Sequence, residues 1–249
     1  MKIYEIHFKI LNIFLYIAMW KSTNLVDISI VTWNVQHESE NIDDKINYIY
    51  KFDIDFICLQ ELDFYQEVTE KLNDQYNSIF IGKKGHNDGC ALFYKTKFEL
   101  KRKIYEQIIP EHDKLVHGFI LADFKYQDKI ITIITTHLKA YAKCEKNRVN
   151  QVNAILTRFQ DINNPIIFAG DFNTRPYSKT YNLIIENNYN PVNINNSDPS
   201  LNPTILIGDD RYQTFDYIFY KNNILCSDTF IDNTNTLSDH LPIGAKFIL

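Results

Sequence analysis

Glycine is scarce: seven residues in 249. A chain with so little of the residue that tolerates unusual backbone angles gives weight to glycines beside polar residues after apolar runs, namely Gly89 and Gly170. The four cysteines, Cys58, Cys90, Cys144 and Cys226, include no CxxC pair. That spacing argues against a zinc site or a disulfide framework and reads as reduced, mostly buried thiols. No long basic run occurs, and 31 acidic against 26 basic residues leave a net charge of −5. Strong non-specific binding to a polynucleotide backbone needs clustered Lys and Arg and is not expected, although a local basic groove stays open. No Ser or Cys sits beside a plausible base, so no covalent nucleophile arrangement is visible. No solenoid repeat or convincing linker divides the chain.

Long apolar runs are nearly absent as well. The exception is ILNIFLYIAMW at 10–20, with Lys2 and Lys9 ahead of it and Lys21 behind. It is too short to span a bilayer unaided and suits a signal-peptide core, although Trp20 and Lys21 after Ala18 make a poor cleavage site. Three readings of residues 1–25 stay open. One is a secretory signal or anchor giving membrane association through residues 1–20; another is organellar targeting; the third is an extension packed on a domain of residues 26–249. The compartment, cytoplasmic, organellar or secretory, follows from which of these holds.

What is present is ample core material, 45% hydrophobic and 14% aromatic residues. Strands are expected at 28–35, 54–59, 78–82, 90–95, 98–109, 116–125, 129–136, 165–169, 214–220, 224–231 and 242–248. Helices are expected at 41–51, 63–75, 145–161 and 178–187, with an Asn-rich loop at 188–203. Strands outnumber helices and fall in two runs, which points to two stacked sheets with helices outside.

Five apolar runs end in polar residues. ISIVTW leads to Asn34, DFICLQ to Glu61, ITIITT to His137, IIFAG to Asp171 and Asn173, and TLS to Asp239 and His240. Each has an ordinary explanation alone: a cap or turn for Asn34, Asp239 and His240, a helix start for Glu61, a core histidine for His137. Together they offer one chemistry. Glu61 and Asp239 are hard oxygen ligands of the kind Mg²⁺ accepts. His137 and His240 suit hydrogen bonding or proton donation to phosphate oxygens, and Asp171 suits activation of a water. Asn173, at i+2 from Asp171, would point the same way on an extended chain.

The motifs TWNV at 32–35, LQEL at 59–62, THL at 136–138, GDFN at 170–173 and SDHLPI at 238–243 together resemble the endonuclease/exonuclease/phosphatase superfamily of Mg²⁺-dependent phosphoester hydrolases. The resemblance keeps the family's order and spans about 28–249. It implies an α/β fold, a four-layered α/β sandwich of two stacked mixed β-sheets flanked by helices. Carried over by position, Glu61 is the principal ligand of Mg²⁺ (or Mn²⁺), with Asn34 beside it and Asp239 near a second metal. His240 contacts the scissile phosphate, oriented by Asp216 of FDYIF.

DGCALFYK at 88–95 and THLKAYAKCEKNRVNQVNAIL at 136–156 look like the nocturnin and carbon catabolite repressor deadenylase branch. The resemblance gives Lys139 a substrate contact and makes Arg148 a further substrate-binding candidate. Tyr141 stands where nocturnin has an arginine, which leaves stacking on a base as the substitute, and Arg175 is a further substrate-facing candidate against the ordinary reading of a solvated charge. The implied function is hydrolysis of an adenine-containing nucleotide or RNA 3′ end, deadenylase-like or a nocturnin-like NADP(H) 2′-phosphatase, by a monomer. The alternatives are a tyrosyl-DNA phosphodiesterase-like or other DNA or phospholipid phosphodiesterase, and a catalytically silent binding module.

Overall fold

Strand β1 (Asp27–Asn34) turns Ile28 and Ile30 to one side and Val31 and Trp33 to the other, all buried. A strand apolar on both faces must be covered on both, which makes its sheet an inner layer. The structure, a computed structural model, describes residues 25–37, 40–108, 117–194, 198–206 and 212–249. The apolar segment at 10–20 and its three readings lie outside these residues.

Two six-stranded sheets stack face to face. The first runs β13 (Leu225–Ile231), β14 (Ile243–Ile248), β1, β2 (Phe56–Gln60), β4 (Gly89–Lys95) and β3 (Tyr76–Gly82). The second runs β5 (Glu99–Ile108), β6 (His117–Tyr126), β7 (Lys129–His137), β8 (Ile166–Asp171), β12 (Asp216–Lys221) and β9 (Asn190–Pro191). A short ribbon pairs β10 (Ile205–Leu206) with β11 (Tyr212–Gln213). Ile30, Phe56, Phe124, Ile133 and Ile167 fill the layer between the sheets. Helices α1 (Ile42–Tyr50) and α2 (Tyr65–Leu72) cover the first sheet through Ile49, Val68 and Leu72, which pack on Trp33, Ile57 and Phe93. Helices α3 (Glu145–Thr157) and α4 (Lys179–Glu186) cover the second, with Val152, Ile155 and Ile184 against Ile134 and Phe168. The result is the expected four-layered α/β sandwich.

Each sheet contains one parallel pair, β1 with β2 and β7 with β8. Parallel neighbours need a crossover, supplied by α1 and α3, and they bring two carboxyl ends side by side. Antiparallel β14 and β12 pair with β1 and β8, so the segments leading into them reach the same edge. Gly170 makes this edge close: its φ is 151°, and a Cβ there would lie 2.1 Å from the Thr136 carbonyl oxygen on β7.

Several expectations shift in detail, and the helix expected at 63–75 is confined to Tyr65–Leu72. Helix α3 ends at Thr157 rather than residue 161, through three-residue turns closed by the amides of Arg158, Phe159 and Ile162. The loop expected at 188–203 contains β9 and a 3-10 turn, Pro199–Leu201, capped by the Asp198 carboxylate. Among the described residues, no helix is long and apolar enough to cross a membrane.

Candidate active site

Asn34 ends β1 and Glu61 follows β2. The Asn34 amide donates to Glu61 Oε1 at 3.1 Å and to Asp171 Oδ2 at 3.0 Å, while its own carbonyl accepts from the Gln36 amide. Glu61 adopts φ of 55°, an uncommon left-handed conformation held by the pairing of Leu62 with Gly89 on β4. Burial pushes the Glu61 carboxyl up, but the His137 charge and the hydrogen bonds of His37 and Asn34 outweigh it and hold the group at about 2.

The second parallel pair supplies His137 and Asp171, which face one another in register. His137 Nε2 lies 3.4 Å from Asp171 Oδ2 and 3.7 Å from Glu61 Oε1. Asn173, at φ 48°, clasps Asp171 from the other side. Its backbone amide donates to Oδ1 at 2.8 Å and its side chain to Oδ2 at 3.2 Å. Burial, with the neighbouring Asp216 charge, raises the Asp171 pKa above the ordinary carboxylate value.

Asp216 opens β12 directly opposite Asp171. His240 Nδ1 donates to Asp216 Oδ2 at 2.8 Å, and Thr204 Oγ1 donates to the same oxygen at 2.6 Å. The His240 carbonyl is held by Trp33 Nε1 and its amide by Ser238 Oγ, which fixes the residue at the edge. His240 Nε2 thereby faces Asp171 Oδ2 at 3.9 Å. Burial depresses the imidazole, yet the charges of Asp216 and Asp171 prevail and raise it to about 10.

The donor chemistry fits a hard divalent cation. Glu61, Asp171 and Asp216 present carboxylate oxygens, Asp216 Oδ1 is buried with no hydrogen-bond partner, and ligand atoms of Asp171, Asp216 and His240 lie within 4.8 Å of one another. Since His240 Nδ1 is engaged by Asp216, that trio reads as a His–Asp pair beside a carboxylate, and Glu61 offers the more accessible oxygens. Asp239 is exposed and stands outside the trio.

A cleft of about 500 Å³ opens next to Asn173. Tyr141 and Arg175 line it, with Phe215 and Ala142. Tyr141 is 71% exposed, and Arg175, also exposed, donates from Nε to Gln213. Lys139, just after β7, is half-buried, with its backbone amide on Gln151 Oε1. Arg148 differs from the expectation of a substrate contact. Although it borders the cleft it is buried, and its guanidinium donates to the carbonyls of Lys139 and Tyr141 and to Glu145. It is a strut for the segment carrying Lys139 and Tyr141, because all three of its nitrogens are engaged by protein acceptors. Glu145 in turn caps α4 by accepting from the amide and hydroxyl of Thr180.

A sequence profile of the Endonuclease/Exonuclease/phosphatase family matches residues 31–240. The chain belongs to the Endonuclease/Exonuclease/phosphatase family. Relatives include Nocturnin of Rattus norvegicus, 27% identical over 74% of this chain and 49% of its own. Another is the probable CCR4-Not complex 3'-5'-exoribonuclease subunit Ccr4 of Vairimorpha ceranae, 26% identical over 66% of this chain and 42% of its own. The chain thus spans about half the length or less of these curated relatives. Among solved structures, ANGEL2, a 2',3'-cyclic phosphatase in complex with adenosine-2',3'-vanadate, superposes with a TM-score of 0.78 at 18% identity, covering 91% of this chain and 96% of that one. These similarities place the chain in the nocturnin and Ccr4 branch of the family.

Several residues of this Endonuclease/Exonuclease/phosphatase site escaped the sequence reading. His37 Nδ1 lies 2.6 Å from Glu61 Oε2, and that hydrogen bond raises the imidazole pKa. His37 ends no apolar run, so nothing in the pattern marked it. Lys45 is fully buried on α1, with its ammonium on the carbonyls of Val35 and Gln36. Burial lowers its pKa. Gln60, a polar residue closing the buried strand β2, was the detectable signal: it bonds Thr32 and, across the sheets, Thr135. His117 Nδ1 donates to the His137 carbonyl, and burial with the His137 charge lowers its imidazole to about 3. The two rings lie 5.8 Å apart.

Proposed function

We propose that this chain is a divalent-metal-dependent phosphoester hydrolase acting on an adenine-containing nucleotide or an RNA 3′ end. The observation that carries the reading is the meeting of Asn34, Glu61, His137, Asp171 and the Asp216–His240 pair at one edge of the sandwich. Mg²⁺ or Mn²⁺, held by Glu61 with Asn34 beside it and Asp239 at a second position, would supply neutralisation of charge on the phosphate. Asp171 accepts the proton of the attacking water, a role suited to a carboxyl whose proton affinity burial has increased. Asn34 and Asn173 hold that carboxylate in place. His240, kept cationic by Asp216, donates a hydrogen bond to the phosphate as negative charge builds and the bond to the leaving oxygen breaks. His137 Nε2, on the Glu61 side, donates a second hydrogen bond to the phosphate.

The cleft beside Asn173 receives the nucleoside. Its volume suits a nucleotide, Tyr141 and Phe215 offer aromatic surface to a base, and Lys139 and Arg175 offer cations to phosphates. The naming of one relative as a 3'-5'-exoribonuclease and the similarity to Nocturnin support this substrate class. The test is to incubate the purified protein and Mg²⁺ separately with poly(A), NADP, a 2′-5′ oligoadenylate and a 5′-tyrosyl DNA. Consumption of an adenine ribonucleotide substrate, abolished by Glu61→Ala and by Asp171→Ala in folded protein, is expected. Cleavage of 5′-tyrosyl DNA alone, or retained activity in both variants, overturns the reading.

A further inference from the structure

Glu61 could present either carboxylate oxygen to the site, and three side-chain torsions separate it from a backbone pinned beside β4. The two oxygens have different surroundings. Oε2 receives the His37 ring at 2.6 Å and the His37 backbone amide at 3.3 Å. Oε1 receives the Asn34 amide, which it shares with Asp171, and faces His137 Nε2. A carboxylate only accepts, so His37 Nδ1 carries the proton of the short contact.

The segment bearing His37 is braced. Buried Lys45 donates to the carbonyls of Val35 and Gln36, Val35 donates to the Gln60 carbonyl, and Gln36 is held at φ 57° by its bond to Asn34 Oδ1. On its outer side the His37 ring meets the His86 ring edge-on, with centroids 6.4 Å apart. Two donors on one oxygen, mounted on a segment fixed at three points, form a clamp.

We infer that His37 is a positioning residue that turns Glu61 Oε2 away from the reaction site and leaves Oε1 as the oxygen offered to a cation. The inference rests on the reading of Glu61 as the cation's ligand. Partners that orient a ligating carboxylate without touching the metal are worth about 10–100-fold in metal affinity, and His37 has that relation to Glu61. Its side chain is partly exposed at the rim of the site and belongs to no core cluster, and Oε2 keeps the His37 backbone amide when the ring is removed, so the fold depends on it little.

The experiment is a titration of the full chain with Mn²⁺, followed by the electron paramagnetic resonance signal of the unbound ion, in wild type, His37→Ala, His37→Asn and Glu61→Gln. His37→Ala is expected to raise Kd about tenfold. His37→Asn, whose amide nitrogen reaches a position close to that of Nδ1, is expected to recover most of the loss. Thermal midpoints in EDTA should fall only slightly, and by a similar amount, in the two His37 variants, so that a Kd recovered by His37→Asn separates positioning from a general structural defect. An unchanged or tighter Kd in His37→Ala overturns the inference while binding that Glu61→Gln abolishes leaves the proposed function standing. Failure of wild type itself to bind the ion overturns both.

Discussion

Asn34 and Asp171 are 137 positions apart and belong to different sheets, yet the Asn34 amide donates to Asp171 Oδ2 at 3.0 Å. The same amide reaches Glu61 Oε1 at 3.1 Å. One side chain therefore ties the oxygen assigned to a cation to the carboxylate assigned to the water, and it does so across the seam of the sandwich.

Replacing Asp171 tests the assignment of the base. Asp171→Asn keeps the shape but turns an amide NH2 onto the donors of Asn34 or Asn173, so turnover is expected to fall by about 10²–10⁴-fold and the thermal midpoint to fall with it. Asn34→Ala should lower turnover and also cost about 1–3 kcal/mol in urea unfolding, because two carboxylate oxygens lose a donor.

His240 predicts a pH dependence with a definite sign. Its imidazole is raised from 6.5 to about 10 in the folded protein, against burial, by Asp216 and Asp171. The stability linked to that proton is complete below the unfolded value and is lost as pH rises through the folded one. The thermal midpoint of wild type should decline between about pH 6.5 and about pH 10, and His240→Gln should flatten that decline. Equal slopes in the two proteins would remove the Asp216–His240 pair from the account.

Arg148 separates a strut from a substrate contact. Its guanidinium is buried on two carbonyls and Glu145, so Arg148→Ala should cost about 3 kcal/mol in equilibrium unfolding. Arg148→Lys retains the charge but loses the fork and should remain measurably less stable than wild type. A stable Arg148→Ala protein with only a raised KM would return the residue to direct substrate contact.

Tyr141 tests the cleft. If a base stacks on its ring, Tyr141→Ala should weaken AMP binding about tenfold, within the ~1–3 kcal/mol of one base–aromatic contact, and Tyr141→Phe should bind as wild type. Loss of binding in Tyr141→Phe would point to the hydroxyl in place of the ring.

The layers were legible in the chain because they follow from local pattern. Ile28 and Ile30 against Val31 and Trp33 already require cover on both faces, and the seven polar residues that end five apolar runs already name most of the site. Arg148 and His37 were not legible. An arginine on a polar helix face looks the same in sequence whether it meets a phosphate or two backbone carbonyls, and His37 follows no apolar run that would flag it.

Sequence alone determined which side chains stand at strand ends, because alternation and strand length are near-neighbour properties. Tertiary structure decided which of those ends meet. The two parallel pairs, the close approach at Gly170 and the stacking of the sheets bring Asn34, Glu61, His137 and Asp171 to one edge, and they turn Arg148 inward and His37 onto Glu61. Those contacts join segments far apart in the chain, where no local pattern carries information about partners.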